Sequence, residues 1–278
     1  MRISSGSILA VGGAEDKVDK RDILERFVTE AGGSAARIAI LPTASAIPLD
    51  RAVFYSGVFG QIGAGSSFHV PIVTREDADL STHAEAIAGA TGVFITGGDQ
   101  TRLVSVLSNT RAFGAIRARL VKGGVLAGTS AGASAFSSTM IVGGQTGLQV
   151  RSDGVRLAPG LGVITRLIID QHFSQRDRLG RLLAAVAQEP QRIGVGIDED
   201  TAIVYYGNGE LEVIGSGQVF VVDGGKAVVH PRVSPRPDVS PPLSLSGVTL
   251  HVLNQGDRFD VLARRMLRAE RPVHRPES

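Results

Sequence analysis

The 278-residue sequence contains no cysteine and no tryptophan. The absence of cysteine excludes disulfide bonds, thiolate metal sites and a cysteine nucleophile. Lysine and arginine total 29 against 27 acidic residues, for a net charge of +2, and they form no dense basic run. The sequence therefore lacks a basic arm of the kind that binds nucleic acids, and we expect no nucleic-acid partner.

Long apolar segments are also missing. No stretch approaches the roughly 20 apolar residues that a membrane-spanning helix needs. The apolar run near the N-terminus extends for only about six residues before glycines and charges follow, which is too short for the apolar core of a secretory signal peptide. We expect a cytoplasmic protein with no membrane partner.

Short runs rich in isoleucine and valine alternate with amphipathic stretches up to about Gly154, and the first such stretch, DKVDKRDILERFVTEAGG from Asp16, is predicted to be a helix. The runs, such as SILAVGG and GVFITGG, are continuously apolar, which indicates a parallel sheet covered on both faces. Farther along, TAIVYYGNGELEVIGSGQVFVVDGG resembles antiparallel strands joined by glycine-rich turns. We predict an α/β fold with a mostly parallel central sheet, helices on both faces and a C-terminal antiparallel β extension.

No linker divides the chain, so we predict a single domain over residues 1–278. The segment 231–242 is rich in proline, which disfavours a central strand, and is predicted to be a loop. We expect the charged stretch 268–278 to be a flexible tail.

Four predicted strands are followed by residues that could carry chemistry. These are GGAED, PTAS, GGDQ and GTSAGA, which begin at positions 12, 42, 97 and 128. In an open parallel sheet, ligands bind beyond the carboxyl ends of the strands. We therefore expect these four segments to border one crevice.

Ser130 lies between a predicted strand and a predicted helix, within Gly128-Thr129-Ser130-Ala131-Gly132. This matches the G-x-S-x-G nucleophile elbow in the structural context that the motif requires. The helix that follows would offer free N–H groups where an oxyanion forms. The alternative is a tight turn with Ser130 as a helix N-cap.

A serine nucleophile needs a base, and the sequence has six histidines. His172 is distinguished from the others because it follows the predicted strand LIID, at the edge where the crevice should lie. Its neighbours in DQHFSQRDR are polar and charged, which a core histidine would not need. We predict that His172 is the base.

An imidazole base needs an orienting acid. Asp198, Glu199 and Asp200 follow one another at the end of an apolar run, where buried charges are costly unless they are paired. The pattern does not select one of the three, and an acidic surface turn is the alternative.

Three arginines, Arg176, Arg178 and Arg181, crowd the start of a predicted helix, where the helix dipole disfavours cations. Such a cluster suits bidentate binding of carboxylates. The alternative is a solvated helix face paired with Asp177 and Glu189.

Taken together, GGDQ, GTSAGA, DQHFSQRDRLGR and GIDEDTA closely resemble the cyanophycinases. These are serine peptidases of the peptidase E-like family, related in fold to class I glutamine amidotransferases. The resemblance extends from GGAED to the strand after GIDEDTA. It implies a cytoplasmic exopeptidase that forms homodimers and cleaves cyanophycin, a poly-aspartate whose side-chain carboxyls each carry an arginine, to β-aspartyl-arginine dipeptides.

The resemblance also implies roles for individual residues. Ser130 would be the nucleophile, His172 the base and Glu199 its acid. Gly98 and Ala131 would supply the amides of the oxyanion hole. The substrate would be bound by Gln100, Asp170, Gln171, Arg176, Arg178 and Arg181. No metal or organic cofactor is implied.

Two other functions remain open. A peptidase of this fold could act on short aspartyl or isoaspartyl dipeptides, since the arginines suit a carboxylate-bearing substrate in either case. A non-catalytic metabolite-binding protein is the third hypothesis. The segment VGGAED lacks a G-x-G-x-x-G pattern, however, and its acids would repel a phosphate.

Overall fold

The computed structural model describes residues 6–230 and 241–267. The predicted flexible tail at 268–278 lies outside the described residues, as does most of the proline-rich loop predicted at 231–242. The single-domain prediction also includes residues 1–5, which are not described.

The elements alternate between strands and helices over the first half of the chain and are mainly strands thereafter. The helices are α1 (Asp22–Glu30), α2 (Pro48–Ile62), α3 (Arg75–Asp79), α4 (Ser81–Ala88), α5 (Gln100–Leu107), α6 (Arg111–Val121), α7 (Ala131–Ser134) and α8 (Leu179–Gln188). Single 3-10 turns occupy Gly33–Ala35 and Ser174–Arg176.

The strands, in chain order, are β1 (Ser7–Val11), β2 (Arg37–Leu41), β3 (Ser66–His69), β4 (Gly92–Ile95), β5 (Val125–Thr129), β6 (Thr139–Gly144), β7 (Val155–Pro159), β8 (Leu167–Gln171), β9 (Ile193–Ile197), β10 (Thr201–Tyr206), β11 (Glu210–Gly215), β12 (Val219–Asp223), β13 (Val228–His230), β14 (Ser244–Ser246), β15 (Thr249–Leu253), β16 (Arg258–Asp260) and β17 (Arg265–Leu267).

Nine strands form the main sheet in the order β17-β16-β11-β10-β1-β5-β4-β2-β3. The five from β1 to β3 are parallel, and the other four extend the sheet antiparallel beyond β1. This confirms the predicted α/β fold and its C-terminal antiparallel extension. Because Val11 pairs with Thr129 and Ile95 with Gly128, the carboxyl ends of these strands meet at one edge.

Apolar clusters cover both faces of the main sheet. Successive residues of a strand point to opposite faces, and accordingly Ile8 and Ala10 belong to one core cluster while Leu9 and Val11 belong to another. Helices α1 and α2 pack on the second face, and α4, α5 and α6 on the first. None of the helices in the described ranges is both long enough and apolar enough to cross a membrane.

A second sheet has the order β15-β12-β9-β8 and packs on the same face of the main sheet as α4 to α6. Strands β8 and β9 are parallel, so Gln171 and Ile197 lie side by side at their carboxyl ends. The periodicity of the sequence did not indicate that these two strands would belong to a separate sheet. Their carboxyl ends carry His172 and Glu199.

Two local features differ from the sequence-based expectation. The first helix begins at Asp22 because the carboxylate of Asp16 accepts hydrogen bonds from four backbone N–H groups, those of residues 18–21, and so holds the preceding segment as a loop. The arginine-rich segment is a 3-10 turn followed by α8, because Asp177 is in the left-handed region with a φ of 47°.

Candidate active site

Ser130 forms a strained turn between β5 and α7, with φ 54° and ψ −110°. A positive φ is uncommon for a residue other than glycine and marks stored backbone strain. The Ser130 amide is held by a 2.9 Å hydrogen bond to the carbonyl of Val11, at the end of the adjacent strand β1. Its side chain forms no capping hydrogen bond to α7, so the alternative of a helix N-cap does not account for it.

The small residues around Ser130 are required by packing. A Cβ at Gly128 would lie 2.5 Å from the ring of Phe136, and one at Gly132 would lie 2.8 Å from the carbonyl oxygen of Ile95. Larger side chains at either position would displace the elbow. The motif therefore serves both close packing and presentation of the hydroxyl.

His172 is within hydrogen-bonding distance of Ser130. The Nε2 atom of His172 lies 3.0 Å from the Ser130 Oγ atom, a separation suited to proton transfer. The His172 amide donates to the carbonyl of Gly12 at 2.8 Å. Gly13 packs against the imidazole so closely that a Cβ there would lie 2.4 Å from the ring. The chain after β1 thus fixes the position of the ring.

Glu199 is the acid that contacts the imidazole, with its Oε1 atom 2.5 Å from Nδ1 of His172. The neighbouring acids have other partners. Asp198 accepts from the Ser174 amide, and Asp200 accepts from the Asp16 amide and the Ser216 hydroxyl. The residue pattern did not distinguish the three acids, and the structure places Glu199, the one that the resemblance implies, against the imidazole.

The electrostatics of the site keep the imidazole neutral near pH 7. Burial of the ring lowers the pKa of His172 below its usual value of 6.5, the hydrogen bond with Glu199 opposes this fall, and the nearby charge of Arg176 adds to it. With Nδ1 donating to Glu199, Nε2 is free to accept the proton of the Ser130 hydroxyl.

An arginine-rich cavity of about 320 Å³ opens beside Ser130. We call it the arginine cavity. Strands β6 and β7 form a hairpin, and β6 supplies one of its walls. The Gln100 amide donates to the carbonyl of Ile141, and the Ser130 Oγ atom lies 3.3 Å from the side-chain oxygen of Gln171. The polar residues that line the cavity are Gln100, Ser130, Gln171, Arg176, Arg178 and Arg181.

Asp170 lies behind the arginine cavity and does not line it. Its side chain is 1% exposed and forms ion pairs with Arg178 and Arg181, the latter through both carboxylate oxygens. Arg178 also donates to the carbonyl of Gln171. Desolvation lowers the pKa of Arg178 to about 10, which leaves it charged at neutral pH. Asp170 therefore holds the two arginines in place.

The model of peptidase family S51 matches residues 8–213, which include Ser130, His172 and Glu199. The chain belongs to peptidase family S51. It is a serine-type peptidase, as predicted from the elbow motif and from the resemblance to the cyanophycinases.

Curated relatives of this S51 peptidase cover nearly its full length. It is 43% identical over 274 residues to the cyanophycinases of Trichormus variabilis and of a Nostoc species, an alignment that covers 98% of this chain and 90% of each relative. It is 41% identical over 257 residues to the cyanophycinase of Geminocystis herdmanii, which covers 91% of this chain and 93% of the relative.

Two solved structures share the fold of this S51 peptidase. A peptidase from an acI-B1 actinobacterium superposes with a TM-score of 0.65 at 22% identity, over 94% of this chain and 98% of that one. A putative peptidase E protein from Listeria monocytogenes gives a TM-score of 0.53 at 16% identity, over 77% of this chain and all of that one.

Sequence reasoning missed two parts of the site. It did not predict that Gly12 and Gly13 would contact His172, although the sequence shows a pair of glycines directly after a predicted strand. It also did not place Glu15, which is 2% exposed and accepts hydrogen bonds from the hydroxyls of Tyr55 and Thr129. Tyr55 is 40 residues away in sequence, and nothing in the pattern links the two.

A larger cavity, of about 650 Å³, lies at the edge of the second sheet. It is lined by Asp223, His251 and Arg264 and does not include Ser130, and its arginine is already paired with Asp223. The candidate active site is therefore the region beside Ser130.

Proposed function

We propose that this S51 peptidase is a cyanophycinase, which hydrolyses cyanophycin to β-aspartyl-arginine dipeptides through an acyl-enzyme. The observation that carries the proposal is the hydrogen-bonded series Ser130–His172–Glu199 at the mouth of the arginine cavity. Relatives named cyanophycinase, at 37 to 43% identity, support the choice of substrate.

In the first half of the reaction, the Ser130 Oγ attacks the main-chain carbonyl carbon of an aspartyl residue while Nε2 of His172 takes the hydroxyl proton. Glu199 stabilises the imidazolium that forms and keeps Nδ1 protonated. The tetrahedral intermediate collapses, the C–N bond breaks, and His172 returns the proton to the leaving amine. A water molecule then repeats the sequence on the acyl-enzyme and releases the acid and free Ser130.

The oxyanion is assigned to the amides of Gly98 and Ala131. As the first residue of α7, Ala131 has an N–H group without an intrahelical acceptor. Gly98 has a φ of 147° and lies so close to Ala44 that a Cβ would come within 1.9 Å of the Ala44 carbonyl oxygen, so only glycine fits there. Both residues are adjacent to Ser130, Gly98 across the crevice and Ala131 along the chain.

The arginine cavity is assigned to the acyl part of the substrate. Its lining has three guanidinium groups, and the buried carboxylate of Asp170 pairs with two of them, Arg178 and Arg181, so the cavity carries an excess of positive charge. The Nε of Arg178 is buried with no hydrogen-bond acceptor in the described part of the chain. A substrate carboxylate would satisfy this donor. Gln100, Gln171 and Arg176 complete the proposed binding set, and Asp170 acts by positioning its arginines.

The deciding experiment incubates the purified protein with cyanophycin and, separately, with β-aspartyl dipeptides, and identifies the products by mass spectrometry. Release of β-aspartyl-arginine from the polymer, absent with Ser130→Ala, is the expected result. Cleavage of dipeptides alone would replace the proposal with an aspartyl dipeptidase. Covalent labelling of Ser130 by a serine-directed inhibitor separates both from a non-catalytic binding protein.

Three finer expectations stay predictions: a homodimer, action as an exopeptidase, and a cytoplasmic location. Light scattering tests the first. For the second, the size distribution of the remaining polymer is decisive, because exopeptidase action leaves long chains beside free dipeptides while internal cleavage shortens all chains. Cell fractionation tests the third.

A further inference from the structure

A second cavity, of about 430 Å³, lies beside Ser130 and is distinct from the arginine cavity. We call it the second cavity. It shares Ser130 and Gly98 with the arginine cavity, so the two meet at the nucleophile. The remaining walls come from the loop after β1 and from the start of α2, and include Ala14, Glu15, Lys17, Ile47, Arg51 and Tyr55.

The carboxylate of Glu15 in this wall is already satisfied. It accepts from the Tyr55 hydroxyl at 2.5 Å and from the Thr129 hydroxyl at 2.6 Å, and lies 3.5 Å from the Lys17 ammonium. Because Glu15 is 2% exposed and already has these three partners, it is poorly suited to bind a substrate guanidinium. It fixes Lys17, whose ammonium also lies over the Tyr55 ring at 5.9 Å from the centroid.

Arg51 is the second cation of the second cavity. It is exposed, and it lies one helical turn before Tyr55 on α2. Its guanidinium forms no ion pair or hydrogen bond with the residues in the described ranges. One carboxylate, Glu15, and two cations, Lys17 and Arg51, thus give the lining an excess of one positive charge, located on a group free to bind a ligand.

The position of His172 indicates which part of a substrate the second cavity receives. The imidazole must deliver its proton from Nε2 to the leaving amine. Gly13 packs against the imidazole, with a hypothetical Cβ 2.4 Å from Cε1 and 2.6 Å from Nε2, and the next residue, Ala14, lines the second cavity. The second cavity therefore opens beside the ring that must protonate the leaving amine.

We propose that the second cavity is the leaving-group subsite, and that Arg51, supported by Lys17, binds a carboxylate on the amine fragment that departs from the acyl-enzyme. The identity of that fragment as the next aspartyl unit rests on the proposed function. The general claim does not, because any peptide with an anionic leaving group would be recognised in the same way. Positive charge on both sides of Ser130 suits a substrate that carries carboxylates on both sides of the scissile bond.

The test uses two synthetic substrates with the same acyl part. In one the departing β-aspartyl-arginine unit keeps its free carboxylates, and in the other these are capped as neutral amides. We compare kcat/KM for the wild-type enzyme, Arg51→Ala, Arg51→Lys and the control Arg111→Ala, which removes an exposed helical arginine outside both cavities. Thermal unfolding checks that each variant folds.

We expect Arg51→Ala to lower the ratio of kcat/KM for the leaving group with free carboxylates over the amide-capped one about tenfold, as loss of a charged contact would. Arg51→Lys should recover part of this ratio and Arg111→Ala should leave it unchanged. A change in the ratio of less than about fivefold for Arg51→Ala would overturn the assignment. If the wild-type enzyme ignores these substrates but cleaves another aspartyl peptide, the proposed function fails, and the same comparison is made on that peptide.

Discussion

The two sheets supply different halves of the proposed catalytic site. The main sheet contributes Ser130 and Gly98 from turns that follow β5 and β4, and the second sheet contributes His172 and Glu199 from the ends of β8 and β9. The nucleophile is shaped by its own neighbours in sequence. The base is placed by contacts between sheets, so the two halves should respond differently to substitution.

Loss of either half of the catalytic pair should have the largest effect. We expect Ser130→Ala and His172→Ala each to lower kcat by about 10³-fold or more, with little change in thermal stability. Because the two groups act as one unit across the sheets, the double variant should be no slower than the worse single variant.

Single-turnover and steady-state rates of the three variants test this, with the exposed Ser81→Ala as a control. If His172→Ala retains near-normal rates, the base assignment is wrong. If the losses of the two single variants multiply in the double variant, Ser130 and His172 do not act together.

The contact that joins the two halves should be the next most sensitive feature. In Gly13→Ala the new Cβ would meet the imidazole, and the φ of 99° would be strained for alanine. We expect a displaced ring and a loss in kcat of about 10²-fold, since misplacement by about 1 Å can cost that much. The exposed Gly57→Ala, with open space around its Cβ, is the matched control.

Activity and melting temperature are measured together for Gly13→Ala. A variant that is fully active and fully folded would show that the close approach of Gly13 does not position His172. A variant that loses activity at an unchanged melting temperature would show that the contact acts on the site itself.

Glu199→Gln should have a comparable or smaller effect, because Glu199 is about one-third exposed and water can partly replace it. We expect a loss in kcat of about 10- to 100-fold.

The kcat/KM of the wild-type enzyme should rise with pH through a midpoint below 6.5, since the neutral imidazole is the active form and burial lowers its pKa. Glu199 raises the pKa of His172, so the midpoint of the pH profile of Glu199→Gln should lie at lower pH than that of the wild-type enzyme. An unchanged midpoint would mean that Glu199 does not interact with the titrating group.

Arg178→Ala should have the smallest effect and should test the arginine cavity alone. It removes one of two arginines bound to Asp170, and Arg181 keeps its own pair with that carboxylate. We expect kcat/KM for an anionic substrate to fall about tenfold, mainly through KM. Kinetics unchanged on both polymer and dipeptide would exclude a role in binding. Arg111→Ala is again the control.

Sequence patterns predicted the parallel strands and the turn at Ser130 well, because both depend on local order. Continuous apolar runs identified β1, β2, β4 and β5, and the G-x-S-x-G spacing identified the elbow at Ser130. The start of α1 was misplaced because the side chain of Asp16 holds the preceding loop, and propensity does not report such hydrogen bonds. The cluster of Glu15, Thr129 and Tyr55 was not foreseen because its members are distant in sequence.

By itself, the sequence determined the chemistry that is available: a serine on a tight turn, a histidine among polar residues, three consecutive acids and a group of arginines. The family model then showed that the chain is an S51 peptidase. Only the tertiary structure decided which acid reaches the imidazole and which arginines are held by Asp170. It also showed that two cavities meet at Ser130. The physical reason is that hydrogen bonds of about 3 Å between β5, β8 and β9 depend on how two sheets pack, and no short stretch of sequence encodes that packing.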